Sequence, residues 1–210
     1  MTETPRTPPA VSAIADPGPL GLAAFALTTF LLSANNAGWT DGTDAWLGYA
    51  FFYGGLCQLL AGMWEFRNRN VFGATAFSTY GGFWLGLGFY VQHVAPTAAK
   101  AAGSGDPELL IQNDLGWILL AFAIFNTYML LMSTQVNMSV FLVFFTLEIT
   151  EIFLFIGNLS HNTGTVKIGG WIGVLTAAVA WYTSAAGVAN GTPGKIKLPV
   201  GKALAGETVS

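Results

Sequence analysis

The sequence predicts an all-α membrane protein, a bundle of six transmembrane helices. Three observations point there. Only 9% of the 210 residues are charged and 53% are hydrophobic, whereas soluble domains carry about 25% charged residues. The apolar residues gather into six windows, each near the roughly 20 residues that a helix needs to cross a bilayer. The chain also holds 26 glycines and 14% aromatics, the residue types that membrane helices use to pack closely and to sit at the interface. Six spans consume the length and leave no extramembranous part large enough to fold alone.

The windows run from about Pro19 to Asn36, Ala45 to Phe66, Val71 to Val94, Leu115 to Ser133, Ser139 to Gly157 and Val166 to Val188. Residues 1–15 are rich in Pro and Thr, without the apolar core of a signal peptide, and read as a disordered tail. Residues 16–190 form the expected transmembrane domain, and 191–210 a Gly/Pro/Lys-rich tail outside the membrane. Between the third and fourth windows, Pro96, Gly103, Gly105 and Pro107 argue for an irregular loop. Arg6, Arg67, Arg69, Lys195, Lys197 and Lys202 fall on one side and only Lys100 and Lys167 on the other, which predicts both termini in the cytoplasm and an inner-membrane location. Trp39, Trp46, Trp117, Trp171 and Trp181 are expected near helix ends or against lipid.

Several function classes are excluded. A net charge of −3 and the lack of a basic patch leave no nucleic-acid partner. The one cysteine, Cys57, lies within a span, so no disulfide scaffold exists. His93 and His161 have no ligands at metal-binding spacing, so no metal is expected. No Ser/His/Asp set shares a depth and no phosphate loop is present, so no enzyme and no cofactor are expected. A retinal pump needs a lysine in the last span, and the nearest, Lys195, lies beyond it.

What remains is a set of polar groups at membrane depth, where an ionisable or hydrogen-bonding side chain is costly unless it packs on protein or lines a path. On the first helix Phe25, Thr29, Ser33 and Asn36 share a face, with Thr28 and Asn35 beside it. Such donors can replace the water around a carboxylate without trapping it as a lysine does, and they can equally bond helix to helix. Phe51 to Gly86 reads as a helical hairpin turning at Arg67-Asn68-Arg69-Asn70. It carries Gln58, Glu65, Thr75, Ser78, Thr79 and Tyr80, with Tyr80 large enough to narrow a pore. Glu65 is read either as a salt-bridge partner of Arg67 and Arg69 or as a buried carboxylate bonded to Gln58. The start at Asp16-Pro17 is read either as free amides near a pore that attract an anion or as a plain capped helix, the cap being favoured because a charged Asp would repel an anion there. Gly82 and Gly86, and Gly169 and Gly173, form GxxxG pairs for close packing within or between subunits.

Glu148 and Glu151 stand out. They are three apart, so neighbours on one face, inside the apolar run FLVFFTLEITEIFLFIG with no cation in any span. Two ionised carboxylates there are very costly, so at least one is expected to carry a proton. They are proton-coupling candidates or, alternatively, acids hydrogen-bonded to each other at an oligomer interface.

Here the motifs match a known family. The chain resembles the acetate uptake transporters, the acetate/succinate permeases of bacteria and fungi. The signature NPAPLGL appears as DPGPLGL from Asp16 to Leu22. The pattern FYGG-x-x-Q-x-x-AG-x-x-E falls on Phe52 to Glu65, and FG-x-TAF-x-x-YG-x-FW on Phe72 to Trp84. Further matches are Val143-Phe144-Phe145, Gly157-Asn158, Gly170 to Gly173 and Leu198 to Gly201. The resemblance covers roughly Asp16 to Gly201, in register with all six windows. It implies a pore in each protomer of a hexamer, small-carboxylate sites along that pore, and an apolar constriction at the positions of Phe25, Tyr80 and Leu147. Two departures bear on an anion path: Asp16 replaces the signature Asn, and Glu148 directly follows the constriction leucine. The expected function is transport of acetate or a similar small carboxylate, with protons as possible co-substrate and lipid as surroundings. The alternative is a non-transporting membrane scaffold or carboxylate sensor.

Overall fold

The computed structural model describes residues 14–101 and 106–205; the expected disordered tail falls almost wholly on residues outside these. The described residues are helical almost throughout: α1 (Gly18–Asn36), α2 (Asp44–Phe51), α3 (Gln58–Arg67), α4 (Val71–Phe89), α5 (Ala95–Ala101), α6 (Pro107–Ser133), α7 (Met138–Leu159) and α8 (Thr163–Gly191). Two π-helical stretches, Phe52–Cys57 and Tyr90–Val94, follow α2 and α4. Among the described residues α1, α6, α7 and α8 are each long and apolar enough to cross a membrane. The other two apolar windows hold helical runs that contain a π stretch, whose wider turn releases backbone groups from the regular ladder.

Helix starts follow from short polar side chains. Asn70, Asp106, Asn137 and Asn162 accept from backbone amides at the heads of α4, α6, α7 and α8, at 2.9–3.1 Å. Asp16 accepts from Gly18 N at 2.9 Å, so its carboxylate serves the first free amide of α1. The expected irregular loop is shorter than the sequence suggested. Pro96 lies in the first turn of α5, and Pro107 occupies the first turn of α6 behind its Asp106 cap, a place where a missing N–H costs nothing.

The long helices form a ring. α1 packs on α8, α8 on α7, α7 on α6, and α6 reaches α4; α4 lies on α3, which returns to α1. Small residues permit the closest approaches. A Cβ at Gly54 would collide with Thr28 of α1, and one at Gly173 with Ser33. Where five helices converge, Phe25, Ala26, Tyr80, Met129, Val143, Phe144, Leu147 and Ala180 form one buried cluster. A second cluster holds Trp46, Ala50, Trp84 and Leu87. Trp46 therefore departs from the interfacial expectation: it is buried at 3% exposure, whereas Trp39, Trp117, Trp171 and Trp181 are exposed. Gly169 packs against Leu154, but Gly82 and Gly86 face open space within the protomer.

The chain beyond α8 folds back across the end of the bundle where α1 begins. Ser139 N donates to Val200 O at 2.9 Å, Tyr182 Oη to Pro199 O at 2.7 Å, and Leu204 N to Thr134 O at 2.8 Å. Gly201 sits at φ +71° with Met138 against it, so a side chain there is both strained and crowded.

Candidate pore and constriction

Three cavities succeed one another along the bundle interior. The first, about 200 Å³, opens at the end where α1 begins and is lined among others by Asp16, Glu65, Asn70, Phe72, Asn137 and Val200. The second, about 20 Å³, lies between Leu22, Phe25, Gln58, Phe77, Tyr80 and Leu147. The third, about 40 Å³, lies beyond the same aromatic level, between Phe25, Thr29, Ser33, Asn36, Tyr80 and Glu151. Phe25, Tyr80 and Leu147 are common to the second and third cavities and separate them. All three are buried, and the Phe25 and Tyr80 rings meet edge to face with centroids 5.7 Å apart. The middle cavity holds about one water, so the interior is nearly dry at this level.

Helix periodicity explains the wall. On α1 the face Phe25, Thr29, Ser33, Asn36 points into the third cavity. Thr28 points elsewhere: its hydroxyl donates to Ala24 O at 3.0 Å and its side chain fills the space over Gly54. On α4 the wall is Phe72, Ala76 and Tyr80, four apart, extended by Phe83. Thr75, Ser78 and Thr79 do not line these cavities, contrary to the expectation for α4, because they lie off that face. Ser78 is turned towards Gly62 of α3. The approach on α4 is thus aromatic, and the hydroxyls come from α1.

Behind the ring runs a polar network. Tyr80 Oη donates to Asn126 Oδ1 at 3.0 Å and lies 3.3 Å from Glu151 Oε1. Asn126 Nδ2 donates to Phe144 O at 3.0 Å and to Glu148 Oε2 at 2.7 Å, and Thr127 Oγ1 donates to Glu148 Oε1 at 2.7 Å. Glu148 and Glu151 are therefore joined through Asn126 and Tyr80. Asn126, fully buried on α6, was not singled out from sequence. Its signal was an amide in the apolar run AFAIFNTYMLL, where an unpaired polar group is expensive. Phe83, Phe122 and Phe125 surround Tyr80 with centroids 5.5–6.4 Å away and fix the ring.

Glu65 is buried at 1% exposure, so it is the buried carboxylate of the two readings, but its partner is Asn68 Nδ2 at 3.2 Å and not Gln58. It lies beside the first turn of α1, where the free amides favour a negative charge. Gln58, also at 1%, presents an unpartnered Oε1 and borders the middle cavity. Among the described residues no cluster of His, Cys, Asp and Glu could hold a metal ion.

Comparison with known proteins fits this geometry. Acetate permease A of Emericella nidulans is 41% identical over 201 residues, covering 89% of this chain and 65% of its own. The chain thus spans just under two thirds of the length of that fungal relative. The succinate-acetate/proton symporter SatP of Escherichia coli K12 is 35% identical over 189 residues, covering 90% of this chain and 96% of its own. The solved structure of the bacterial acetate channel SatP superposes with a TM-score of 0.79 at 34% identity, covering 90% of this chain and 99% of that one. The family match runs over residues 2–202. The chain belongs to the GPR1/FUN34/yaaH family.

Proposed function

We propose that this protein moves acetate or a similar small carboxylate across the cytoplasmic membrane, through one pore per protomer of a six-span hexamer with both termini inside. One observation carries the reading: a buried ring of Phe25, Tyr80 and Leu147 lies between two cavities that both reach it from within the bundle. An apolar ring of this kind admits a methyl group and bars hydrated ions, because stripping an ion of water without replacement is costly. Thr29, Ser33 and Asn36 supply hydrogen bonds on one side, and Gln58 and the wide cavity at Asp16 and Asn70 serve the other. Relatives named as an acetate permease and a succinate-acetate/proton symporter support the substrate class. The open Gly82/Gly86 face supports contact with a neighbouring protomer.

Glu148 and Glu151, linked through Asn126 and Tyr80, are the groups able to hold a transported proton. Labelled-acetate uptake into vesicles carrying the purified protein tests the reading. Flux above that of empty vesicles is expected, and L147A should admit longer acids such as butyrate. Uptake that an ionophore abolishes at a fixed acetate gradient indicates coupling. Acetate binding without flux would instead support a carboxylate sensor, a reading favoured only by the small volume at the ring.

A further inference from the structure

The two glutamates of α7 are not equivalent. Glu148 is half-buried, and both its oxygens accept from donors, Asn126 Nδ2 and Thr127 Oγ1. Glu151 is buried at 4% exposure, borders the cavity beyond the ring, and its Oε2 has no partner. In the lining of that same cavity, Thr29 Oγ1 is also buried without a partner. Unpartnered buried polar atoms beside a cavity are costly and point to an occupant that completes them. A bare carboxylate anion completes this pair only where Glu151 already carries the proton, since the anion offers no donor of its own and is repelled by a charged Glu151. A neutral carboxylic acid completes it by itself: its O–H donates to Glu151, and its carbonyl accepts from the Thr29 hydroxyl.

We infer that the cavity between Thr29 and Glu151 binds the undissociated acid, one proton being shared between substrate and Glu151 as the substrate passes the ring. The inference rests on the transport reading above and specifies the form of its substrate. No cation offsets the charge. α1 has no titratable side chain, and α4 contributes Tyr80. On α6 the nearest titratable group is Tyr128, next to Thr127. On α7 there is Glu148. The titratable groups of α8 lie elsewhere: Lys167 beside Gly38, and Tyr182 on Pro199. A single shared proton therefore leaves one negative charge in the site, where two anions would place two. The proton enters with the acid and leaves with it, so the substrate crosses the ring uncharged.

Two probes of the wild-type protein in vesicles separate the forms. Acetamide has the donor and acceptor of the acid and no charge, and should compete with acetate uptake. Methanesulfonate is permanently anionic at similar size and should be excluded. In E151Q the amide donates where the carboxylate accepted, so methanesulfonate flux should rise by roughly tenfold or more. Wild-type protein that passes methanesulfonate as readily as acetate, or ignores acetamide, overturns the inference without any variant. If wild-type vesicles carry no acetate flux at all, the transport reading fails instead. The site is then judged by NMR-detected acetate binding in detergent. Binding that tightens on acidification sustains it, and binding unchanged with pH overturns it.

Discussion

Two buried acids, Glu65 and Glu151, occupy opposite sides of the same constriction and are held in opposite ways. Glu65 accepts from Asn68, packs against the head of α1 and Gly73 of α4, and borders the wide cavity at that end. Glu151 has one 3.3 Å contact to Tyr80 and an oxygen facing a cavity. A carboxylate held by a neighbouring amide and close helix contacts joins helices, whereas one with a buried oxygen left without a donor is available to a ligand. Burial alone, which is similar for both, does not distinguish them.

That contrast can be broken by mutation. The largest stability effect is expected for E65A, which strands the Asn68 amide and empties the junction of α1, α3 and α4. A loss of about 2–3 kcal/mol is predicted from unfolding in detergent micelles, against under about 1 kcal/mol for E151A. Equal losses would show that Glu65 and Glu151 are held alike. Next comes G73A. Its Cβ would lie 2.7 Å from Glu65 Oε1 and from Asn70 Nδ2, and overpacking of this kind costs about 1–3 kcal/mol. A G73A protein as stable as wild type would mean that the pocket around Glu65 yields easily. The smallest effect is expected for T28V, whose hydroxyl bonds only its own helix. It should change stability and acetate flux little, within about 0.5 kcal/mol. T29V, which removes a hydroxyl from the cavity wall, should lower acetate flux at unchanged stability. If T28V and T29V reduce flux alike, the assignment of faces on α1 is wrong.

Much of this architecture was legible beforehand. Low charge and apolar runs of spanning length leave a helical membrane bundle as the form that satisfies every backbone group. The 3.6-residue period put Phe25, Thr29, Ser33 and Asn36 on one face, and that face lines the cavity beyond the ring. The same reasoning failed on α4, because periodicity names the faces of a helix without saying which one meets the interior. There the face of Phe72, Ala76 and Tyr80 lines the cavities, and the hydroxyl of Ser78 turns to Gly62.

The sequence by itself determined the helical membrane class, the cap at Asp16, the family, and the presence of two acids without a cation in an apolar run. These follow from local chemistry: chain length against bilayer thickness, side chains reaching adjacent amides, and the cost of charge in a hydrocarbon setting. Only the tertiary structure decided which acid is satisfied and which is not. Asn126 on α6 and Tyr80 on α4 lie 46 residues apart, and Tyr80 and Glu151 lie 71 apart. Whether a buried oxygen finds a donor depends on helices that meet only in the folded bundle, so no spacing along the chain could have separated Glu148 from Glu151.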